Sequence, residues 1–314
     1  MPHKKHQKVK SKPALITPTP KKPFFKSRLF ALVLLVLIVV AAVAVYAFVG
    51  MRSPSHDVAI AQVVPSGAVP QGFDIKINIT VRNKGTFAET FNATVSMPFN
   101  ATSTKAYSQR ITSLAAGTER MLTFTWKTSA LALGAYRVNM TLGSVANETE
   151  LTDNSFMLNV SLSNKVRLMT SMGNFTIQLY DDMPITTKNF KKLVWGGIYD
   201  NTIFHRVIKG FVVQGGDPTG TGYGDPSIPT IQDEFTDHNY NEWGTVAMAN
   251  AGPNTGSSQF FVNLVNNSHL NDKHPVFGEV ISGMGVVDQI SNVQVDSNSK
   301  PLTEVKLIRA EFVK

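Results

Sequence analysis

Alternating apolar and polar side chains dominate the stretch from residue 57 to residue 162. Within residues 73–81 every second side chain is apolar, which is the period-two pattern of a half-buried strand. Four further segments show the same pattern and two show it weakly: 91–97, 122–126, 136–142 and 156–162, with 58–63 and 107–111. About seven short strands separated by turn signals predict an immunoglobulin-like β-sandwich over residues 57–162.

The pattern changes in residues 163–314, where short strands mix with two helices. Residues 166–170 and 175–179 read as a hairpin, and Pro184 opens a helix with an apolar face. A second helix is predicted at residues 284–290. The remaining strands are predicted at 202–206, 211–214, 245–249, 259–263, 276–280 and 304–312. This mainly-β composition with two helices predicts a closed barrel capped at its ends.

Residues 29–50 form an uncharged apolar run. As a helix, 22 residues would span about 33 Å, enough for a hydrocarbon core of ~30 Å. Nine basic residues precede the run and only Arg52 lies just beyond it. The positive-inside rule therefore predicts one transmembrane helix in the cell membrane, a cytoplasmic tail at 1–28 and an extracytoplasmic chain at 51–314. The alternative is a cleaved signal peptide, whose apolar core is shorter and whose small-residue cleavage site follows it.

The charge distribution argues against a nucleic-acid-binding body. The net charge is +8, but nine of the 30 basic residues lie in the proline-containing tail 1–28, which holds no acidic residue. The rest of the chain carries 21 basic and 22 acidic side chains and lacks the excess of cations that a nucleic-acid partner requires. We expect the tail to be disordered and to favour anionic lipid.

Metal and cofactor chemistry find no support in the sequence. Cysteine is absent, so thiolate metal sites, disulfides and a cysteine nucleophile are excluded. The glycine-rich segment 215–224 lacks the Gly-Lys-Ser/Thr ending of a phosphate loop, and the histidines lack ligand spacing. We expect no cofactor and no metal.

Six asparagines begin Asn-x-Ser/Thr triplets. Asn100 and Asn147 lie in predicted loops, and four lie on the polar faces of predicted strands: Asn78, Asn92, Asn139 and Asn159. A glycan there would leave the core undisturbed, although triplets also arise by chance in Thr- and Asn-rich strands. Many such triplets, a single anchor and no cysteine together suggest an archaeal protein.

The sandwich segment resembles the CARDB-type domains of bacterial and archaeal surface proteins. The resemblance rests on four features: the Asp57-Val58 opening, residues 81–86 (VRNKGT), residues 114–117 (LAAG) followed by 124–126 (FTW), and the closing Asp153-Asn154. No cluster of titratable residues accompanies these motifs, which favours a spacer or docking module.

Two long runs in the second half carry a more specific resemblance. Residues 204–217 read FHRVIKGFVVQGGD and residues 248–261 read MANAGPNTGSSQFF, followed by LNDKH at 270–274 and VFG at 276–278. Together they closely resemble the cyclophilin family of peptidyl-prolyl isomerases over residues 165–314. The resemblance implies an eight-stranded antiparallel barrel with two helices and a reaction that needs no cofactor.

The same resemblance implies the roles of individual residues. Arg206 matches the catalytic arginine, while Gln214, Ala249 and Asn250 match positions that hold the substrate backbone. His274 matches the histidine at the pocket rim. The floor and walls of the proline pocket match Phe211, Val212, Phe261 and Leu270. Many members have methionine at the position of Val212, and many eukaryotic members have tryptophan at that of His269, where it contacts cyclosporin.

Other conspicuous residues of these runs are expected to serve the fold. Phe204, Phe260 and Phe277 should belong to the barrel core, and His205 should be structural. Asp181-Asp182 and Asp233-Glu234 should be solvated loop ends.

These features combine into one functional hypothesis and one alternative. The first is a membrane-anchored, outward-facing prolyl isomerase that acts on proline-containing polypeptides during the folding of exported proteins. The second is a surface binding or adhesion protein, in which the barrel grips proline-containing segments without turnover.

Overall fold

The computed structural model describes residues 33–43 and 53–314. Residues 33–43 form helix α1, which lies inside the predicted anchor 29–50 and has exposed apolar side chains. The other residues of that anchor, and the predicted tail 1–28, lie outside the described residues. Among the helices that the structure describes, none is long and apolar enough to cross a membrane.

The first β domain is a sandwich of two sheets, with strand orders β1-β3-β6 and β2-β8-β7-β4-β5. Its strands are β1 (Val58–Val64), β2 (Gly67–Pro70), β3 (Asp74–Asn83), β4 (Glu89–Pro98), β5 (Thr104–Leu114), β6 (Glu119–Lys127), β7 (Gly134–Leu142) and β8 (Ser155–Ser163). Ile75, Ile77 and Ile79 of β3 are at most 1% exposed, as the alternating pattern predicts. Trp126 of β6 is the largest side chain in this core.

Strand β2 is absent from the sequence-based expectation. The segment contains Pro70 and follows Pro65, so its sequence predicts a loop. In the structure its four residues pair in parallel with β8. Proline has no N–H to donate to a ladder. β2 is tolerated because it lies at the edge of the sheet, where one side of the backbone needs no partner.

The four strand asparagines of the Asn-x-Ser/Thr triplets lie on the outer faces of the sandwich. Asn92, Asn139 and Asn159 are exposed. Asn78 is half-buried, and its Oδ1 accepts a hydrogen bond of 2.8 Å from Thr123 Oγ1. None of the four contributes to the apolar core.

The second β domain is built from nine strand segments and two helices. They are β9 (Lys165–Thr170), β10 (Gly173–Leu179), α2 (Pro184–Trp195), β11 (Thr202–Ile203), β12 (Arg206–Ile208), β13 (Val212–Gly215), β14 (Thr245–Met248), β15 (Phe260–Asn263), β16 (Val276–Ser282), α3 (Met284–Ser291) and β17 (Lys306–Val313).

These strands close into an antiparallel barrel. The sheet order is β11-β17-β9-β10-β16-β14-β15-β13-β12, so the two edge segments are β11 and β12. Only Phe204 and His205 separate β11 from β12 along the chain. The two edges of the sheet therefore meet at β11 and β12, which are two parts of one interrupted strand. When β11 and β12 are counted as one strand, the barrel has the eight strands expected from the sequence.

The barrel interior is filled by large apolar side chains. Phe204, Phe260 and Phe277 are at most 1% exposed and belong to one cluster, as expected. Phe190 of α2 packs edge-on against Phe260, with 5.5 Å between ring centroids. Helix α2 begins at Pro184 and ends at Trp195, before Gly196, in agreement with the predicted start and stop signals.

One expectation about loop carboxylates is wrong. Glu234 is not a free loop end, because its carboxylate accepts hydrogen bonds from the first-turn amides of α2, Ile185 N at 2.9 Å and Thr186 N at 2.6 Å. The first amides of a helix have no partner within it. Glu234 supplies that partner from 48 residues away, which no local pattern indicates.

The sandwich and the barrel are joined closely. Only Asn164 separates β8 from β9, and Ser163 Oγ donates a hydrogen bond of 2.5 Å to Val313 O at the end of the barrel. The Asn164 side-chain amide donates to Asp181. Ala68 of β2 packs against the barrel core, so the sandwich rests on the barrel next to β17 and α2.

Candidate active site

Arg206 points out of the barrel because the strand that carries it is interrupted. Phe204 and Val207 both belong to the barrel core, although they are three positions apart. In a regular strand, side chains that share a face are two positions apart. The break between β11 and β12 shifts this alternation by one residue. Arg206 is therefore turned outward and is half-buried, while Val207 fills the interior.

A cross-strand row of five outward-facing residues runs over the barrel from this arginine. The β-ladder pairs Arg206 with Gln214, Gln214 with Phe261, Phe261 with Ala247, and Ala247 with Val276. Neighbouring strands lie about 4.8 Å apart, so the backbones of Arg206 and Phe261, two strands from each other, are about 10 Å apart. One end of the row is cationic and polar, and the other end is apolar.

The guanidinium is held by a chain of side-chain amides. Arg206 Nη1 donates to Gln214 Oε1 at 3.1 Å, and Gln214 Nε2 donates to Gln259 Oε1 at 2.9 Å. Gln259 Nε2 then donates to Gly222 O at 3.0 Å. Each amide is oriented by the next, and the chain ends on the backbone. The one hydrogen bond that Arg206 makes within the described residues leaves its other N–H groups available.

The apolar end of the row forms a small cluster that is separate from the barrel core. Val212, Ala247, Phe261 and Val276 are buried together, with four half-buried side chains packed against them: Tyr180, Phe211, Ala249 and Leu270. Val213 and Val262, the chain neighbours of Val212 and Phe261, belong to the interior cluster. Strand alternation thus divides these strands between the core and an outer apolar surface.

Phe211 joins the arginine to this surface. Its ring centroid lies 5.8 Å from Arg206 Cζ, within range of a cation–π interaction. The β12–β13 turn that presents Phe211 passes through Gly210 at φ +70°, a conformation that glycine adopts without penalty. Phe211 O accepts hydrogen bonds from Leu264 N at 2.9 Å and Asn267 Nδ2 at 3.1 Å.

Two histidines border the apolar surface. His269 stacks on Phe211, with 5.9 Å between ring centroids, and His274 meets Phe261 edge-on at 5.4 Å. His274 Nδ1 lies 3.1 Å from Met248 O, which can only accept, so Nδ1 carries the proton. Burial lowers the pKa of the His274 imidazole, and the bond to Met248 O only partly offsets this.

The two residues after β14 are placed at the rim by the backbone. Ala249 N donates to Gln259 O at 3.0 Å. The Asn250 side-chain amide donates to Lys273 O at 2.7 Å and therefore fastens its loop to the segment before His274. The structure brings all nine site residues of the sequence analysis to one side of the barrel wall or its rim, while the role of each remains a prediction.

Gln259 and the loop beside it were missed by sequence reasoning. Asp217 is fully buried and accepts hydrogen bonds from Thr219 N, Gly222 N and Gly224 N at 2.9, 2.7 and 3.2 Å. It thereby fixes the loop whose Gly222 O anchors the amide chain. Burial raises the pKa of Asp217, but these hydrogen bonds outweigh it and hold the pKa below its ordinary value. The only sequence signal was an aspartate followed by alternating glycines.

His205 lies beside Arg206 yet behaves as a packing residue. It is 7% exposed, and neither ring nitrogen has a hydrogen-bond partner within the described residues. Burial lowers the pKa of its imidazole. In residues 33–43 and 53–314, no three acidic or histidine side chains are close enough together to hold a metal ion.

Comparison with known proteins agrees with this architecture. The family model described as cyclophilin type peptidyl-prolyl cis-trans isomerase/CLD matches residues 165–312, and the CARDB model matches residues 55–157. The resemblance of each domain to its family is therefore confirmed.

Individual relatives match the barrel half of the chain. Peptidyl-prolyl cis-trans isomerase-like 1 of Neurospora crassa is 45% identical over 157 residues, which are 49% of this chain and 96% of that protein. Peptidyl-prolyl cis-trans isomerase CYP18-2 of Arabidopsis thaliana is 45% identical over 48% of this chain and 93% of its own length. A solved cyclophilin-type isomerase of Cryptosporidium parvum aligns at 35% identity and a TM-score of 0.45, over 47% of this chain and 95% of that one. The chain belongs to the cyclophilin-type peptidyl-prolyl cis-trans isomerase family.

Proposed function

We propose that Arg206 is the catalytic residue of this isomerase. The peptide bond resists rotation by ~18–20 kcal/mol because of its partial double-bond character, and no bond is broken when it turns. In the twisted state the prolyl nitrogen regains a lone pair that can accept a hydrogen bond. A guanidinium is always charged and offers five donors, and that of Arg206 uses one of them on Gln214 within residues 33–43 and 53–314.

The apolar surface is proposed to supply the rest of the stabilisation. A thousandfold acceleration needs ~4 kcal/mol, and one charge-assisted hydrogen bond contributes about 1.5–3 kcal/mol. Phe211, Phe261 and Leu270, with Val212 beneath them, would hold the proline ring, while His274 closes the rim. Gln214, Ala249 and Asn250 would hold the flanking backbone so that only the far side of the bond turns.

The single observation that carries this proposal is the cross-strand row, which aligns a cation with an apolar surface on one barrel wall. The test is exchange of an X-Pro peptide by the full chain, kept in non-ionic detergent. Arg206→Ala should lower kcat/KM about 12- to 160-fold, the equivalent of ~1.5–3 kcal/mol. Arg309→Ala is the matched control, because that arginine is exposed on β17. Equal activity of Arg206→Ala and wild type would exclude this role.

Binding of the peptide without acceleration would instead support the surface-binding alternative. That outcome requires a wild-type chain that shows saturable peptide binding and no change in the exchange rate. The family relationship and the free N–H groups of Arg206 favour turnover.

We also propose that the chain is anchored in the cell membrane by residues 29–50, with the tail 1–28 in the cytoplasm and residues 51–314 outside. The support is the length of the apolar run and the nine basic residues on one side of it. Protease added to intact cells should remove the barrel and spare the tail. Recovery of the barrel in the soluble fraction of lysed cells would contradict the anchor.

In this location the clients would be exported proteins with proline residues, and the sandwich would serve as a spacer or docking module. N-glycans are proposed at Asn92, Asn139 and Asn159, which are exposed on its outer faces, and at the half-buried Asn78. Intact mass of the chain purified from its own cells should exceed the sequence mass, and Asn139→Gln should remove one increment. A mass equal to that of the unmodified chain would contradict glycosylation.

A further inference from the structure

A cavity between the sandwich and the barrel contains a lysine that the isomerase site does not use. The cavity has a volume of about 180 Å³, and its sandwich side is formed by Gln71, Gly72 and Phe73. Its barrel side is formed by Asp181 and by four residues of α2: Pro184, Thr187, Lys188 and Lys191. This space is enough for a ligand of a few atoms.

Lys191 is the one charged residue of this lining that is buried, with only 6% of its surface exposed. Its ammonium has no hydrogen-bond or ion-pair partner within residues 33–43 and 53–314. The Nζ atom itself is not buried, so the aliphatic part of the side chain is packed while the ammonium opens onto the cavity. Burial lowers the pKa of Lys191, and the nearby Asp181 carboxylate only partly opposes this.

The backbone amides of Gly72 and Phe73 and the Thr187 hydroxyl already donate hydrogen bonds within the protein, so the two lysine side chains are the donors available to a ligand. Gly72 N and Phe73 N both donate to Thr128 Oγ1 at 3.0 Å, and Thr187 Oγ1 donates to Met183 O at 2.7 Å. Asp181, the one acidic side chain of the lining, already accepts from Asn164. Two lysines and one aspartate give the lining a formal charge of +1, which suits a monoanion better than a dianion.

We infer that this cavity is a binding site for a small carboxylate, held between the ammonium groups of Lys191 and Lys188. A bound carboxylate would contact both β domains and connect the turn 71–73 of the sandwich to α2 of the barrel. The site lies apart from the cross-strand row and is independent of the isomerase mechanism.

Sodium acetate is the probe, added to the full chain in non-ionic detergent with sodium chloride at equal concentration as the blank. Saturation transfer from protein to the acetate methyl group measures binding by NMR. Wild type should show a saturable signal, and Tm should rise by about 3 °C at ten times the Kd. A signal that grows linearly without saturation would overturn the inference.

Three variants separate this site from general ion effects. Lys191→Met should raise the Kd for acetate at least tenfold, whereas Lys192→Met, at the exposed neighbouring position, should leave it unchanged. Asp181→Asn removes the one negative charge of the lining and should lower the Kd several-fold. If Lys191→Met fails to fold, the Kd of Asp181→Asn for acetate still tests the inference. Equal Kd values for Asp181→Asn and wild type, or for a folded Lys191→Met and wild type, would refute the site.

Discussion

The chain of amides behind Arg206 makes a quantitative prediction about Gln259. Gln259→Leu keeps most of the side-chain volume but removes the acceptor that orients Gln214 Nε2 at 2.9 Å. Gln214 is then free to rotate its Oε1 away from the guanidinium. Gln259 thus acts as a positioning residue, through Gln214, on a group that we propose to contact the substrate.

The expected loss follows from the number and kind of bonds removed. A neutral hydrogen bond contributes about 0.5–1.5 kcal/mol net, so one lost orienting bond should lower kcat/KM about 2- to 12-fold. The loss should appear mainly in kcat, because the apolar surface that binds the proline ring is untouched. It should be smaller than that of Arg206→Ala, which removes a charge-assisted bond.

A double-mutant cycle separates positioning from general damage. Exchange of an X-Pro peptide is measured for wild type, Gln259→Leu, Arg206→Ala and the double variant. If Gln259 acts through Arg206, Gln259→Leu should have almost no effect in the Arg206→Ala background. Gln178→Leu, which breaks a comparable side-chain bond of 3.1 Å to Leu179 O, is the control and should leave kcat unchanged. An equal loss from Gln259→Leu in both backgrounds would refute the reasoning.

Three further predictions concern stability and pH. Glu234→Ala leaves the first amides of α2 without their acceptor and should cost about 1 kcal/mol of unfolding free energy; an unchanged denaturant midpoint would contradict it. The pKa of Asp217 is lowered in the folded state, so its contribution to stability is present above its ordinary pKa of 3.8 and is lost as the pH falls through the lower folded value. Asp217→Asn should therefore flatten the acid limb of a plot of unfolding free energy against pH, and a parallel curve would argue against it. Burial also lowers the pKa of His274 in the folded state. The contribution of its neutral imidazole to stability is complete above the ordinary pKa of 6.5 and is lost as the pH falls, because the unfolded chain then binds the proton more readily. His274→Phe should remove that part of the loss in acid denaturation curves.

Much of the fold could be predicted because burial imposes a period on the sequence. The isoleucines of β3 alternate with polar residues, and the structure buries them in one sandwich core. Helix α2 was predictable from Pro184 and Gly196, whose backbone preferences mark a helix start and stop. Strand β2 was not predictable, because it contains Pro70, a poor strand former, and its partner β8 is distant in the sequence.

The sequence predicted which residues belong to the candidate site, but not how their side chains are arranged in space. The two long runs around Arg206 and Phe261 indicated which side chains to examine. They did not indicate that the strand break at Phe204 and His205 turns Arg206 outward. Gln259 was missed because its importance comes from two hydrogen bonds, to Gln214 and Gly222, that are made 45 and 37 residues away.

The sequence by itself determined most of the elements, the family and the kinds of side chain available for chemistry: an always-charged arginine, a set of apolar side chains and no cysteine. The elements follow from local periodicity and backbone preference, which act over a few residues, and the family follows from the resemblance carried by the runs at 204–217 and 248–261. Only the tertiary structure decided that Arg206, Gln214 and Phe261 form one row, that Glu234 caps α2, and that Lys191 lies buried beside the sandwich. The physical reason is that strand register and domain packing join residues that are far apart in the chain, and their geometry depends on every contact between them.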